Sequence, residues 1–158
     1  MITRRSGGCE NNNLVMYIYT PMVKKILLVD DDVEDREIIR DALGDLGYHS
    51  VIHFEENGEK ALSYLETAYS SGTLPSMVIL DLNMPRMNGT QTLRRLKSDK
   101  RFNNIPVIIY STSLNNIERD ECLALGAHSY VIKPVSYRDT VATAKKFYDM
   151  SIGMETTL

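Results

Sequence analysis

The 158-residue sequence is short of several things, and each shortage removes a class of protein. It has two cysteines, Cys9 near the N-terminus and Cys122 inside a helical pattern, so a disulfide framework has no purpose here. A reducing, cytoplasmic location is the expectation. Its three histidines, His49, His53 and His128, show no metal-ligand spacing and are expected at strand edges or in loops. No apolar run exceeds the six residues from Leu14 to Tyr19, well short of the ~20 needed to span a bilayer. The arginines near the N-terminus are not followed by the ~7–15 apolar residues of a secretory leader. Charge of one sign is also lacking: the net charge is −3, which points neither to nucleic acid nor to an anionic membrane surface. The cluster Arg94, Arg95, Lys97, Lys100 and Arg101 is expected to be the solvated face of a helix.

What is present suits one ordinary domain, with 43% hydrophobic and 25% charged residues, close to the globular average. Residues 1–22 differ from the rest. Ser6-Gly7-Gly8 and Asn11-Asn12-Asn13 are rich in breakers, and a short apolar piece and Pro21 come next. They are expected to be a poorly ordered extension or the product of a start codon placed too early, with Met16 and Met22 as alternatives. An added strand or partner-binding segment is the other reading. Residues 23–150 form the domain, and 151–158 a C-terminal tail.

From Lys24 onwards, short apolar runs alternate with helical patterns. Ile26-Leu27-Leu28-Val29, Val51 to Phe54, Met77 to Leu80, Pro106 to Tyr110 and Ser129 to Ile132 read as five strands. Between and after them, Ile38, Ile39, Ala42, Leu43 and Leu46 mark a first helix stopped by Gly47, and Ala61, Leu62 and Leu65 a second, closed by a Ser70-Ser71-Gly72 loop. Leu93 and Leu96 set a third helix entered from Asn88-Gly89. A fourth runs from about Asn116 to Ala124 with Gly126 at its end, and Val141, Ala144, Phe147 and Tyr148 give a fifth. Ser136 and Asp139 have capping-box spacing at its start. Five strands alternating with five helices predict a doubly wound α/β fold, a parallel sheet with helices on both faces.

Ligands of such a sheet bind beyond the carboxyl ends of its strands. Asp30, Asp31 and Asp32 come after the first strand, Asp81 after the third, Ser111 and Thr112 after the fourth, and Lys133 and Pro134 after the fifth. Singly, each has a structural explanation: Asp32 as a helix N-cap, Asp81 in a turn, Ser111 in a loop, Lys133 in solvent. Together they form an acid-rich edge with one lysine and one hydroxyl. Like charges ~4 Å apart repel by about 4 kcal/mol at an effective dielectric near 20. Converging carboxylates therefore need a cation, or one must stay protonated. Hard oxygen donors without histidine or thiolate suit Mg²⁺, and a carboxylate can itself act as a nucleophile to form an aspartyl phosphate.

These residues resemble the response-regulator receiver family over about Lys24 to Met150. The signatures are Ile26 through Asp32, Leu80-Asp81-Leu82-Asn83-Met84-Pro85 with Met87-Asn88-Gly89, Pro106 through Thr112, and Gly126-Ala127 through Tyr130 to Lys133-Pro134. The resemblance implies a flavodoxin-like (βα)5 sheet of order 2-1-3-4-5. It implies Asp81 as phosphoacceptor, Mg²⁺ held directly by Asp31 and Asp81 and by the Asn83 backbone carbonyl, and Asp30 acting largely through water. Ser111 would follow the phosphoryl group, with Thr112 beside it, and Lys133 would pair with the acyl phosphate. The Lys133–Pro134 bond resembles the family's cis peptide. Tyr130 would be an aromatic switch; from the residues alone it is equally a core aromatic of strand 5.

The implied function is a phosphorylation-dependent switch in a two-component phosphorelay, not an enzyme turning over small molecules. A sensor histidine kinase or histidine phosphotransfer protein would be the donor. A protein target would read helix 4, strand 5 and helix 5, and a homodimer through that face is a further implication. One helix comes after Pro134, leaving no room for an output domain, so the resemblance is to stand-alone regulators. Haloacid-dehalogenase-type enzymes carry a second aspartate two residues after the first; Asn83 holds that position here. A phosphorylation-independent module on the same fold is the other alternative, although no family signature is missing.

Overall fold

A computed structural model describes residues 25–154, so the expectations for residues 1–22 lie outside the described residues, as do residues 155–158. The elements are β1 (Ile26–Val29), α1 (Val33–Asp45), β2 (Ile52–Glu55), α2 (Gly58–Ser71), β3 (Met77–Leu80), α3 (Gly89–Ser98), β4 (Val107–Ser111), α4 (Asn116–Ala124), β5 (Ser129–Ile132) and α5 (Tyr137–Ser151). All strand pairs are parallel, in the order β2-β1-β3-β4-β5. This is the flavodoxin-like sheet order.

Every residue of β1, β3 and β4 is buried, because side chains alternate between two helix layers. Leu27, Val29, Val78, Leu80, Val107 and Ile109 face Ala61 and Leu65 of α2, Leu93 and Leu96 of α3, and Cys122 of α4. Ile26, Leu28, Met77, Ile79, Ile108 and Tyr110 face Ile39, Ala42 and Leu43 of α1 and Ala144 and Phe147 of α5. Each fully buried aliphatic or aromatic side chain contributes about 1.5–3 kcal/mol. The edge strands β2 and β5 are only partly buried.

Several boundaries differ from the sequence reading. β2 and β4 sit one residue later than expected, so Ser111 ends β4 instead of lying beyond it. Ser70 and Ser71 continue α2, where their hydroxyls donate to carbonyls of the preceding turn, and only Gly72 turns left-handed (φ 69°). Ile38 is exposed, not on the core face of α1. The basic cluster is largely solvated, but only Arg94, Arg95 and Lys97 belong to α3; Lys100 and Arg101 lie in the turn beyond its end at Ser98. Lys97 is the exception to that solvation, since its ammonium donates to the carbonyls of Asn103 (3.1 Å) and Ile105 (2.8 Å).

The expected capping box at α5 is half made: Ser136 accepts from the Asp139 N–H, but the Asp139 carboxylate takes the Ser136 hydroxyl instead of the backbone N–H. The complete box is at α3. There the Gln91 N–H donates to Asn88 Oδ1 (2.9 Å) and the Asn88 N–H to Gln91 Oε1 (3.0 Å). Asn88→Ala is expected to lower the unfolding free energy by about 1 kcal/mol, read from the urea midpoint. An unchanged midpoint would show that the box contributes nothing.

Candidate functional site

Backbone pairing sets the site before any side chain does. β1 and β3 run in register with Val29 opposite Leu80, and the Asp81 N–H donates to the Val29 carbonyl at 2.9 Å. Asp30 and Asp81 are therefore the first residues past two adjacent strands. Both are buried, at 1% and 5% exposure, while Asp31 is exposed. One carboxylate oxygen from each of Asp30, Asp31 and Asp81 lies within 4.8 Å of the others. Asp32 caps α1, accepting from the N–H groups of Glu34 and Asp35, as its structural reading required.

Burial raises the Asp81 carboxyl to about 6; Lys133 opposes that rise, and Asp30 and Asp31 add to it. Burial likewise raises Asp30, against the pull of Lys133. Lys133, just past β5, brings Nζ to 2.6 Å from Asp30 Oδ2, 2.7 Å from Asp35 Oδ2 and 3.5 Å from Asp81 Oδ1. Burial disfavours its charge, but the hydrogen bonds to Asp30 and Asp35 outweigh that and hold it above the ordinary lysine value.

Ser111 is completely buried, and its Oγ accepts from the Ser113 N–H at 3.1 Å. The Ser113 carbonyl in turn accepts from the Tyr130 hydroxyl at 3.1 Å. Two hydrogen bonds thus join the Ser111 hydroxyl to an aromatic ring that is half-buried against the core. Thr112 is exposed beside them, as is Asn83. The expected cis bond is absent. No cis peptide occurs among the described residues, so Lys133–Pro134 is trans, the form an X–Pro bond favours by about 0.5–1 kcal/mol.

Three contributors escape the sequence reading. Asp35 holds Lys133, and its spacing of four from Asp31 is the signal that could have found it, since that places it on the first turn of α1 at the same sheet edge. Arg36 Nη1 donates to the Asp30 carbonyl at 2.6 Å. Gly89, read as a helix entry and part of a family signature but given no role at the site, backs directly onto the Asp81 carbonyl.

Three carboxylates, those of Asp30, Asp35 and Asp81, thus surround one ammonium. All donors in the acid cluster are oxygens, so the residues fit a small hard divalent cation. A larger groove of about 850 Å³, lined by Glu59, Arg86, Met87, Arg95 and Leu125, contains none of these groups. The cavity beside Lys133 and Asp35 is only about 240 Å³.

A parallel sheet in this order with acids at its carboxyl edge is a doubly wound α/β fold with a polar site where such sheets bind ligands. The chain belongs to the response regulator receiver domain family, whose model matches residues 26–145. Members of this family are receiver domains of two-component signalling, switches without small-molecule turnover. CheY1, a chemotaxis protein of Helicobacter pylori, is 36% identical over 110 residues, covering 70% of this chain and 85% of that protein. FilR2, a probable methanogenesis regulatory protein of Methanothrix harundinacea, is 33% identical over 129 residues, covering 81% and 83%. Among solved structures, the phosphorylated cyanobacterial phytochrome response regulator RcpA superposes with a TM-score of 0.74 at 28% identity, covering 84% of this chain and 96% of its own. No described helix is long and apolar enough to cross a membrane.

Proposed function

We propose that the protein is a phosphorylation switch whose acceptor is Asp81. The observation that carries this is the buried Asp81 carboxylate held within 4.8 Å of Asp30 and Asp31, with the Lys133 ammonium 3.5 Å away. An Asp81 oxygen attacks the phosphorus of a phosphohistidine on a sensor kinase or phosphotransfer protein. The P–N bond breaks, its electron pair stays on the imidazole nitrogen, and the phosphoryl group becomes a mixed anhydride on Asp81. Water later attacks that phosphorus and returns phosphate and the free carboxylate.

Asp31, Asp81 and the Asn83 carbonyl are the residues to hold Mg²⁺ directly. Both oxygens of Asp30 are already engaged, by the Asp32 N–H at 3.0 Å and by Lys133, which favours a water-bridged role. Bound there, Mg²⁺ supplies charge neutralisation for the phosphoryl oxygens. Lys133 pairs with the anhydride's phosphoryl group. Ser111 turns its hydroxyl to the same group and leaves the Ser113 N–H, which loosens the Ser113–Tyr130 bond and frees the ring to move inward.

The reading surface is α4–β5–α5, where Leu114 (78%) and Ile117 (80%) stand exposed on and before α4 with Ile132 beside them. A protein target or a second copy occupies it, in the cytoplasm and without nucleic acid.

Intact-mass spectrometry after incubation with phosphoramidate tests the switch. One hydroxylamine-sensitive phosphoryl group is expected, formed only with Mg²⁺. No adduct, together with no Mg²⁺ binding by titration, overturns the proposal.

A further inference from the structure

An ammonium has three N–H donors, and a sound N–H···O bond spans about 2.7–3.2 Å. At Lys133 two donors are spent, on Asp30 Oδ2 at 2.6 Å and on Asp35 Oδ2 at 2.7 Å. Asp81 Oδ1, at 3.5 Å, lies outside that range. The lysine is therefore held by carboxylates other than the acceptor. One of them, Asp30, belongs to the acid cluster; Asp35 does not.

Acids in a first helical turn are favoured by the helix dipole alone, and Glu34 and Asp35 both occupy that turn. Glu34 stays at the surface, whereas Asp35 reaches a lysine that is itself only 9% exposed. Its backbone is fixed relative to Asp30 from two sides: Asp32 accepts from the N–H groups of Glu34 and Asp35, and the Arg36 guanidinium donates to the Asp30 carbonyl. The Lys133 ammonium also lies over Tyr110, with Nζ 5.7 Å from the ring centroid. The ammonium sits between α1 and the sheet edge.

We propose that Asp35 is a positioning residue of the phosphoryl site. It shares the Lys133 ammonium with Asp30, and a phosphoryl group on Asp81 must take the lysine from it. Asp35 then sets how readily the phosphorylated state forms. This rests on Asp81 being the acceptor. The Asp35 side chain is 34% exposed, so a partner touching the first turn of α1 reaches the same equilibrium from outside.

The probe is beryllium trifluoride with Mg²⁺, which binds an acceptor carboxylate as a phosphoryl stand-in, followed by ¹⁹F NMR. Asp35→Ala and Asp35→Asn are expected to bind it about tenfold more tightly, the order for removing one charge-assisted hydrogen bond that competes with the ligand. Asp35→Glu, which restores a carboxylate, should return towards wild type. Loss of a nearby negative charge would by itself favour an anion, so the decisive comparison is made in a Lys133→Ala background. There Asp35→Asn should change the affinity by less than about twofold, because the competition runs through the lysine.

The Lys133 ¹³Cε resonance gives a readout that needs no lysine variant. It should move in Asp35→Asn before any fluoride is added. Unchanged affinity in Asp35→Asn overturns the proposal, and so does tightening that persists without Lys133. If the wild type binds beryllium trifluoride no better than Asp81→Asn does, the acceptor reading itself falls and this inference with it.

Discussion

Asp81→Asn is expected to abolish labelling by every phosphodonor and, with divalent cations removed, to make the protein more stable at neutral pH. The two effects have one origin. The Asp81 carboxyl is raised from the ordinary 3.8 to about 6, chiefly by burial, so its ionised form is disfavoured in the folded state. As pH falls from about 6 to about 4, the folded protein takes up a proton that the unfolded chain does not yet bind. The favourable contribution of the protonated group is complete below about 4 and is lost as pH rises through 6. At pH 7 ionised Asp81 therefore costs roughly 2–3 kcal/mol at about 1.4 kcal/mol per pKa unit, a penalty the neutral amide does not carry. Urea unfolding in EDTA should give the variant the higher midpoint at pH 7, with the difference closing below pH 4. Equal midpoints at pH 7 would refute the account of Asp81 as a strained anion. Acid-stable label on the variant would refute its assignment as acceptor.

Gly89→Ala is the second large effect. A Cβ at this position would lie 2.2 Å from the Asp81 carbonyl oxygen and 2.6 Å from the Leu82 Cα. Both are backbone atoms, held by the ladder bond from Asp81 to Val29 and by the Gly89 N–H donating to the Leu82 carbonyl. Neither can swing away as a side chain would. Overpacking of this kind costs about 1–3 kcal/mol, and with backbone on the opposing side the upper end is expected. The relief has to come from moving either α3 or Asp81. Phosphoramidate labelling should consequently slow by more than tenfold even at temperatures where the variant remains folded. A variant with wild-type midpoint and labelling rate would show that the loop yields more easily than its hydrogen bonds imply.

The sheet is legible in the sequence because its central strands are buried on both faces. Runs such as Met77-Val78-Ile79-Leu80 have no polar interruption, and their ends coincide with the first charged or hydroxyl residue. The same signal blurs at β2, an edge strand where His53 and Glu55 are partly exposed and pair at 2.9 Å. Asp30, Asp31 and Asp81 stand out because each lies just beyond the carboxyl end of a buried strand, and the fold gathers their oxygens within 4.8 Å.

Spacing does not convey where a long side chain ends. The sequence puts Lys133 at the correct edge, but its choice of Asp35 over Asp81 depends on the pitch of the first turn of α1. The Ser111–Ser113–Tyr130 chain is hidden for a related reason. It runs through a backbone N–H and a backbone carbonyl, groups that nearly every residue carries and no motif marks.

The two helix layers touch opposite faces of one sheet and share little but its backbone. Val29 and Leu80 serve one layer and Leu28 and Ile79 the other, although they are neighbours in sequence. Substitutions in contact are the ones that depart from additivity, whereas separated ones combine simply. A lineage of such proteins is therefore free to drift in two independent compartments. The core positions of the α1–α5 layer can change without disturbing the α2–α4 core, so long as the strand backbones between them keep Asp30 and Asp81 side by side and α1 keeps Asp35 at Lys133.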